Sequence, residues 1–284
     1  MSKVANIVLL LGQSNAVGVA FTKYLNRHFS PEQVAKFYEG YENVVINYRS
    51  HGIVSNGFVK TTVNCTEKAK DTLGPEVGIA KNLTERYPNE KFFIVKCAFG
   101  GTNMHSDWLS PSNEGVYDPT SFARSCPDIV KAIESAKHPN SGWCYNELVE
   151  LLTESIEILK NEGYEPKVRA MFWMQGESDS YDQDFLNNYI SRYHRLVNDL
   201  KKQFAGYFED CTFVEAGVSK RWLNYEELNA FKKEYAEKEG HRYIDTIKEG
   251  LTTEHEPLEN PDTAHYDADS IVKLGELFAE QLSL

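Results

Sequence analysis

The chain has 284 residues, 41% hydrophobic and 25% charged, a composition typical of ordinary globular proteins that disfavours wholesale disorder, collagen-like repetition and coiled coil. Thirty Lys and Arg against 42 Asp and Glu give a net charge of −12, which repels nucleic acid and anionic membrane surfaces. No basic patch overrides it: the longest basic runs are pairs such as Lys201-Lys202 and Lys232-Lys233, set in mixed-charge helical stretches.

The first predicted element is a strand over Ala5–Leu11, too short to span a bilayer and without a small-residue cleavage site. The five cysteines, Cys65, Cys97, Cys126, Cys144 and Cys211, form no Cys-x-x-Cys pair and read as free thiols. Together these features lead to the expectation of a cytoplasmic setting. Residues 40–73 carry two β-like runs, Val44–Tyr48 and Phe58–Val63, expected as a small hairpin or an edge addition to a sheet. A helix follows the Gly74-Pro75 start through Ile79, Leu83 and Tyr87, and a second buried strand spans Phe92–Cys97.

Residues 99–143, punctuated by Gly100, Gly101, Pro111, Gly115, Pro119, Pro127, Pro139 and Gly142, read as long connecting loops with a short helix near Asp128–Ala136. Helical periods resume at Leu148, Leu151, Leu152, Ser155 and Leu159 before a Gly163 stop. A third strand covers Val168–Met174, a long helix runs from Leu186 to Phe204, a fourth strand covers Cys211–Ala216, and Arg242–Ile247 is a weaker strand candidate. The last helix runs through Ile271, Leu274, Phe278 and Leu282, capped by Asp267 or Asp269. Alternation of apolar strands with amphipathic helices predicts a three-layer α/β/α sandwich with a mainly parallel central sheet. One domain over 1–284 is expected, with loop insertions around 40–73 and 99–143.

In an open parallel sheet, ligands bind beyond the carboxyl ends of the strands, so the residues after each apolar run are read for chemistry. After the first comes Gly12-Gln13-Ser14-Asn15, a hydroxyl in a Gly-containing turn that is either presented to a substrate or simply an N-cap. No Gly-Lys-Ser/Thr ending or G-x-G-x-x-G accompanies it, which argues against a phosphate loop. After the second comes Phe99-Gly100-Gly101-Thr102-Asn103, followed by Trp108; the double glycine either aims an N–H at developing negative charge or makes a plain turn. After the third comes Gln175-Gly176-Glu177-Ser178-Asp179, an amide donor and a carboxylate at one edge. Before the last helix sits Asp262-Thr263-Ala264-His265, where the carboxylate can fold back onto one ring nitrogen and leave the other free as a base.

In this combination and order the four motifs resemble the blocks of the SGNH hydrolase superfamily, and within it the acetylesterases of carbohydrate esterase family six and the sialate O-acetylesterase-like group. The resemblance spans Gly12 to His265. Its usual Gly-Asp-Ser is Gly-Gln-Ser here, and Gln175 stands where the superfamily name expects Asn; the acetylesterase branch shares both departures. The resemblance implies a flavodoxin-like sheet and two-step acyl transfer with no metal or other cofactor. Ser14 would be the nucleophile and His265 the base, with Asp262 as its acid partner and Glu177 as the alternative acid. The oxyanion would be met by the Ser14 and Gly101 N–H groups and the Gln175 amide, with Gly100 as the fallback. Gln13, Asn15, Asn103 and Trp108 would line the substrate site.

The implied substrate is an acetylated sugar chain, foremost acetylated xylan or xylo-oligosaccharides, with sialate or another O-acetylated glycan or small metabolite as the alternative and an inactive sugar-binding module as the alternative of another class. Trp108, Tyr117, Trp143 and Tyr145 are aromatic residues that either stack on a sugar or pack inside, and Trp173 is assigned to the core. Glu254-His255-Glu256 is the densest metal-like cluster, but it lacks ligand spacing and Pro257 breaks any helix there.

Overall fold

A computed structural model describes residues 3–50, 53–63, 65, 71–113, 121–125, 127–135 and 142–284. The first half of the chain contributes β1 (Lys3–Gly12), α1 (Ser14–Val17), β2 (Ala20–Phe21), α2 (Leu25–His28), α3 (Pro31–Glu39), β3 (Val44–Ser50), β4 (Ile53–Val54), β5 (Val59–Lys60), β6 (Thr72–Leu73), α4 (Glu76–Arg86), β7 (Phe92–Ala98) and α5 (Pro127–Ser135). The second half contributes α6 (Trp143–Asn161), β8 (Tyr164–Met174), α7 (Gln183–Gln203), β9 (Thr212–Ala216), α8 (Tyr225–Glu239), β10 (Arg242–Ile244) and α9 (Ala268–Glu280).

β1 lies mid-sheet because it has no face suited to water: every residue from Ala5 to Gly12 is buried, and all but Asn6 and Gly12 carry apolar side chains. The strands run in the order β10-β9-β8-β1-β7-β3-β4, with β5 also pairing β3. All neighbours from β10 to β3 are parallel, and β4 and β5 are antiparallel to β3. With β3 and its two short partners set aside, the remaining five strands have the flavodoxin order 2-1-3-4-5. Within 40–73, β3, β4 and β5 are therefore an edge addition whose first strand joins the parallel sheet, while β6 pairs antiparallel with β2 in a separate two-stranded sheet.

Alternate residues send their side chains to opposite layers. On one face Phe172 stacks on Phe278 of α9, ring centroids 4.9 Å apart, and Lys96 reaches Glu76 of α4. On the other, Trp173 packs against Tyr193 of α7, and the Cys97 thiol lies against the Cys144 carbonyl of α6. Some predicted details change. The strand expected to reach Ile247 stops at Ile244, where Asp245–Gly250 closes a turn through Glu249 N–H to Asp245 O and Gly250 N–H to Ile247 O. The short helix is α5, Pro127–Ser135. Asp267 occupies the N-cap position of α9 but makes no capping bond; its carboxylate accepts from Thr252, His255 and Glu256 instead. Among the described residues, no helix is long and apolar enough to cross a membrane.

The register sets up the site. Gly12 pairs with Ala98 on one side and Met174 on the other, so residues 13–15, 99–103 and 175–179 leave the sheet side by side.

Candidate active site

The turn after β1 requires its glycine. Gly12 has φ +142°, and a Cβ there would lie 1.8 Å from the Met174 carbonyl oxygen, so only hydrogen fits where the chain folds over the end of β8. Gln13 N–H then donates to that carbonyl at 3.0 Å. The Gln13 side chain is buried: its oxygen accepts from Gln175 Nε2, Gly176 N–H and Ser178 N–H, and its nitrogen donates to Ser178 Oγ. Gln13 thus staples two loops together and does not face substrate, a correction to the sequence expectation. Ser14 opens α1 and is 8% exposed, with Gln13 in the N-cap position. The serine is not a cap, and neither its hydroxyl nor its N–H has a partner among the described residues.

His265 sits in the Asp-x-x-His turn before α9. Its Nδ1 lies 2.6 Å from Asp262 Oδ2, and its N–H donates to the Asp262 carbonyl at 3.2 Å. The hydrogen bond from His265 holds the Asp262 carboxyl below the usual carboxylate range against the opposing effect of burial. The pair is open to water, with side-chain exposures of 27% for His265 and 47% for Asp262. Asn15, expected to contact substrate, is instead buried between the nucleophile turn and the histidine turn: its Oδ1 accepts from Tyr266 N–H at 3.0 Å and its Nδ2 donates to Ala264 O at 3.3 Å. Those two bonds flank His265 and bring residues 14 and 265 into one site.

The 175–179 loop supplies buried charge. Glu177 makes no hydrogen bond to His265; its Oε1 accepts from Asn15 Nδ2 at 3.0 Å, and burial pushes its carboxyl up against the pull of that bond. Gln175 Nε2 points at Asp179 Oδ2 (2.6 Å), Thr102 O (3.1 Å) and Gln13 Oε1 (3.3 Å), so both its protons are committed inside the protein. It joins three loops and is not free to meet an oxyanion, which corrects its expected role. Asp179 also accepts from Met104 N–H, and burial raises its carboxyl to about 7 despite the bonds from Gln175 and Met104. Behind the loop, buried Lys232 donates to the Gln175 and Ala216 carbonyls at 2.8 and 2.5 Å; burial lowers its ammonium, while Glu215, Glu177 and Asp179 oppose that.

Gly101 follows β7 with φ +68°, and a Cβ there would lie 2.4 Å from the Phe122 ring, which is itself 66% exposed. Asn103 gives its side-chain oxygen to Ser106 N–H at 2.7 Å, leaving its amide nitrogen without a partner among the described residues. Trp108, expected at the substrate, is buried, donates to Thr102 Oγ1 and packs edge-on against Trp173. Trp143 and Tyr145 are buried too, and Tyr117 lies outside the described residues. Glu256 binds His28 and the N–H of Ala268, and among the described residues no three metal-ligating side chains converge.

Two residues near the site carry no sequence motif. Phe122 comes from a 3-10 turn, Phe122–Ser125, within the long 99–143 connection. Arg221 lies in the segment after β9, where its Nε donates to Thr263 Oγ1 at 2.9 Å. It edges a cleft of about 390 Å³ whose wall includes Ser219, Lys220, Thr252, Glu254 and Thr263. The carboxyl-end rule points to that segment, but only the fold shows which residue reaches the histidine turn.

Known proteins place this geometry in a family. Residues 4–283 match the family described as carbohydrate esterase, sialic acid-specific acetylesterase. No curated protein matches the sequence. Similar solved structures include a protein of Arabidopsis thaliana (17% identity, 97% of this chain and 96% of that one, TM-score 0.62) and NanS (16% identity, 98% and 96%, TM-score 0.65). A carbohydrate acetylesterase from Xanthomonas citri is similar over 97% of this chain and 55% of its own length (12% identity, TM-score 0.57). At these identities the likeness shows a shared fold.

Proposed function

The chain belongs to the carbohydrate esterase, sialic acid-specific acetylesterase family and is a serine carboxylic ester hydrolase acting on acetylated sugars, and from that premise we propose which residues carry the reaction. Ser14 Oγ attacks the acetyl carbonyl as His265 Nε2 takes its proton. The tetrahedral intermediate then collapses to an acetyl-enzyme as the sugar oxygen leaves, taking the proton from His265 to become the free hydroxyl. Water activated by the same nitrogen frees acetate. Asp262 holds Nδ1–H and balances the imidazolium that forms in each step. The oxyanion is met by the N–H groups of Ser14 and Gly101, with the open amide of Asn103 taking the place first given to Gln175. The observation that carries this reading is the His265–Asp262 pair fastened beside Ser14 by Asn15.

For the substrate, the local charge favours an acidic sugar over neutral xylan. Arg221 is anchored to the histidine turn through Nε alone, so its remaining guanidinium N–H groups are available to a carboxylate, with Lys220 alongside. An O-acetylated sialic acid fits that chemistry; an acetylated xylo-oligosaccharide is the second reading, supported by the acidic exterior as a whole. Acetate release from both substrates by the parent, Arg221→Gln and Ser14→Ala proteins tests the two levels. The expected result is no turnover in Ser14→Ala, with Arg221→Gln losing activity selectively on the acidic sugar. Equal activity of the parent on both sugars, unchanged by Arg221→Gln, would remove the acidic-sugar reading, and turnover surviving in Ser14→Ala would remove the serine mechanism.

A further inference from the structure

We infer that Asn15 is a positioning residue that sets the distance between Ser14 and His265, a task separate from the orientation of the imidazole ring by Asp262. Asn15 is 1% exposed and immediately follows the nucleophile. Its amide orientation is fixed by its partners: turned over, its oxygen would face the oxygens of Glu177 and Ala264 and its nitrogen would face the Tyr266 N–H. Two of its three bonds reach the backbone just before and just after His265, across 249 and 251 residues of sequence. Among the described residues, no other hydrogen bond joins residues 13–17 to residues 262–266.

Asp262 cannot do this work. Its carboxylate accepts from His265 Nδ1 and Ala264 N–H, both within its own turn, and its N–H donates to Glu256 O. It fixes the ring to the turn without fixing the turn to the nucleophile. Glu177 completes the device from below: wholly buried, it accepts from Asn15 through Oε1, so it acts on His265 through Asn15 and not by touching the ring.

A misplacement of reacting groups by about 1 Å costs roughly 10²-fold in rate. Removing the Asn15 bonds frees the half-exposed histidine turn to drift by that order, while the His265–Asp262 bond survives. The signature is therefore a fall in kcat with KM unmoved, since Asn15 is held inside the protein by its three bonds.

The test is p-nitrophenyl acetate hydrolysis by Asn15→Leu, which keeps the branching at Cγ and deletes all three bonds. We expect kcat to fall about 10²-fold with KM within about threefold. If that variant fails to fold, Asn15→Asp replaces it. Its carboxylate keeps the bond from Tyr266 but repels Glu177, so kcat falls, and adding Glu177→Gln, which supplies a donor, recovers part of the loss. A folded Asn15→Leu with kcat within about twofold of the parent, a loss carried by KM with kcat unchanged, or no recovery in the double variant would each overturn the inference. It rests on Ser14 and His265 being the reacting pair. Failure of that reading shows as turnover in Ser14→Ala, whereas failure of this one shows as a dead Ser14→Ala beside a fully active Asn15→Leu.

Discussion

Asp262 should matter less than the acid of a buried triad, and the structure says by how much. In a buried triad, replacing the aspartate by asparagine costs about 10⁴-fold, because the ring settles in the wrong tautomer and the imidazolium is left uncompensated away from water. Here the 2.6 Å bond between His265 and Asp262 is short and charge-assisted, but the aspartate side chain is 47% exposed, so water replaces part of what is lost. A hydrogen bond to a charged group contributes about 1.5–3 kcal/mol, which at about 1.4 kcal/mol per factor of ten corresponds to roughly 10- to 10²-fold. Asp262→Ala should therefore lower kcat/KM for p-nitrophenyl acetate by that factor. Asp262→Asn should lose at least as much, because an asparagine nitrogen facing Nδ1 holds the unproductive tautomer. The assay is steady-state p-nitrophenyl acetate hydrolysis by the parent and both variants under one set of conditions. A loss near 10⁴-fold would show that solvent does not screen the pair. A loss under about twofold would show that Asp262 is not the acid partner and would return that role to Glu177.

Other consequences can be measured directly. Burial holds Asp179 protonated up to about 7, so between the ordinary carboxylate range and that pH the native chain binds a proton the unfolded chain has released; stability should fall as pH rises through this window and level off above it. Denaturant midpoints near pH 5 and pH 8 should differ in that direction, and Asp179→Asn should flatten the slope; a parent midpoint that rises with pH would contradict the assignment. Asn103→Asp keeps the acceptor for Ser106 N–H and deletes the open donor, so kcat should fall by about 10²- to 10³-fold at an unchanged melting temperature, and retained kcat would remove Asn103 from the oxyanion site. Gln175→Leu should instead show a lower melting temperature, since it breaks the junction of Gln13, Thr102 and Asp179; an inactive but equally stable variant would restore Gln175 as a donor. Lys96→Met strands the buried Glu76 carboxylate and the Val17 carbonyl that ends the nucleophile turn, and should cost about 3–5 kcal/mol by denaturant titration. A loss under about 1 kcal/mol would show that the buried pair contributes little.

The sheet was legible because its central strands are apolar on both faces: Ile7–Leu11 and Phe92–Val95 have no alternative but to lie between two helix layers. The place of β3 was not, since Val44–Tyr48 reads equally as half a hairpin, and only pairing with β7 puts it in the parallel sheet. At the site, the local pattern Asp-x-x-His identified a pair that does bond, because three residues suffice to close the turn. Side chains whose partners are distant in sequence were misread. Gln13, Asn15 and Gln175 look like exposed polar residues of a catalytic edge, yet Gln13 is held by residues 175, 176 and 178, Asn15 by residues 177, 264 and 266, and the Gln175 amide nitrogen by residues 13, 102 and 179, all inside the protein. Trp108 followed the same logic: Thr102 and Trp173 turn it inward. Phe122 and Arg221 offered no motif because their relevance lies wholly in what the fold sets beside Gly101 and Thr263.

The most direct measurement is to mix the enzyme with p-nitrophenyl acetate, quench with acid before the steady state, and locate the added mass by peptide mapping. The mechanism predicts one acetyl group per chain, carried by the peptide that contains Ser14, absent from Ser14→Ala and accumulating when His265 is replaced only as slowly as the residual turnover allows. Acetate released at the parent rate with no acetylated Ser14 peptide, or the acetyl group found on another residue, would contradict the assignment of Ser14 as the nucleophile.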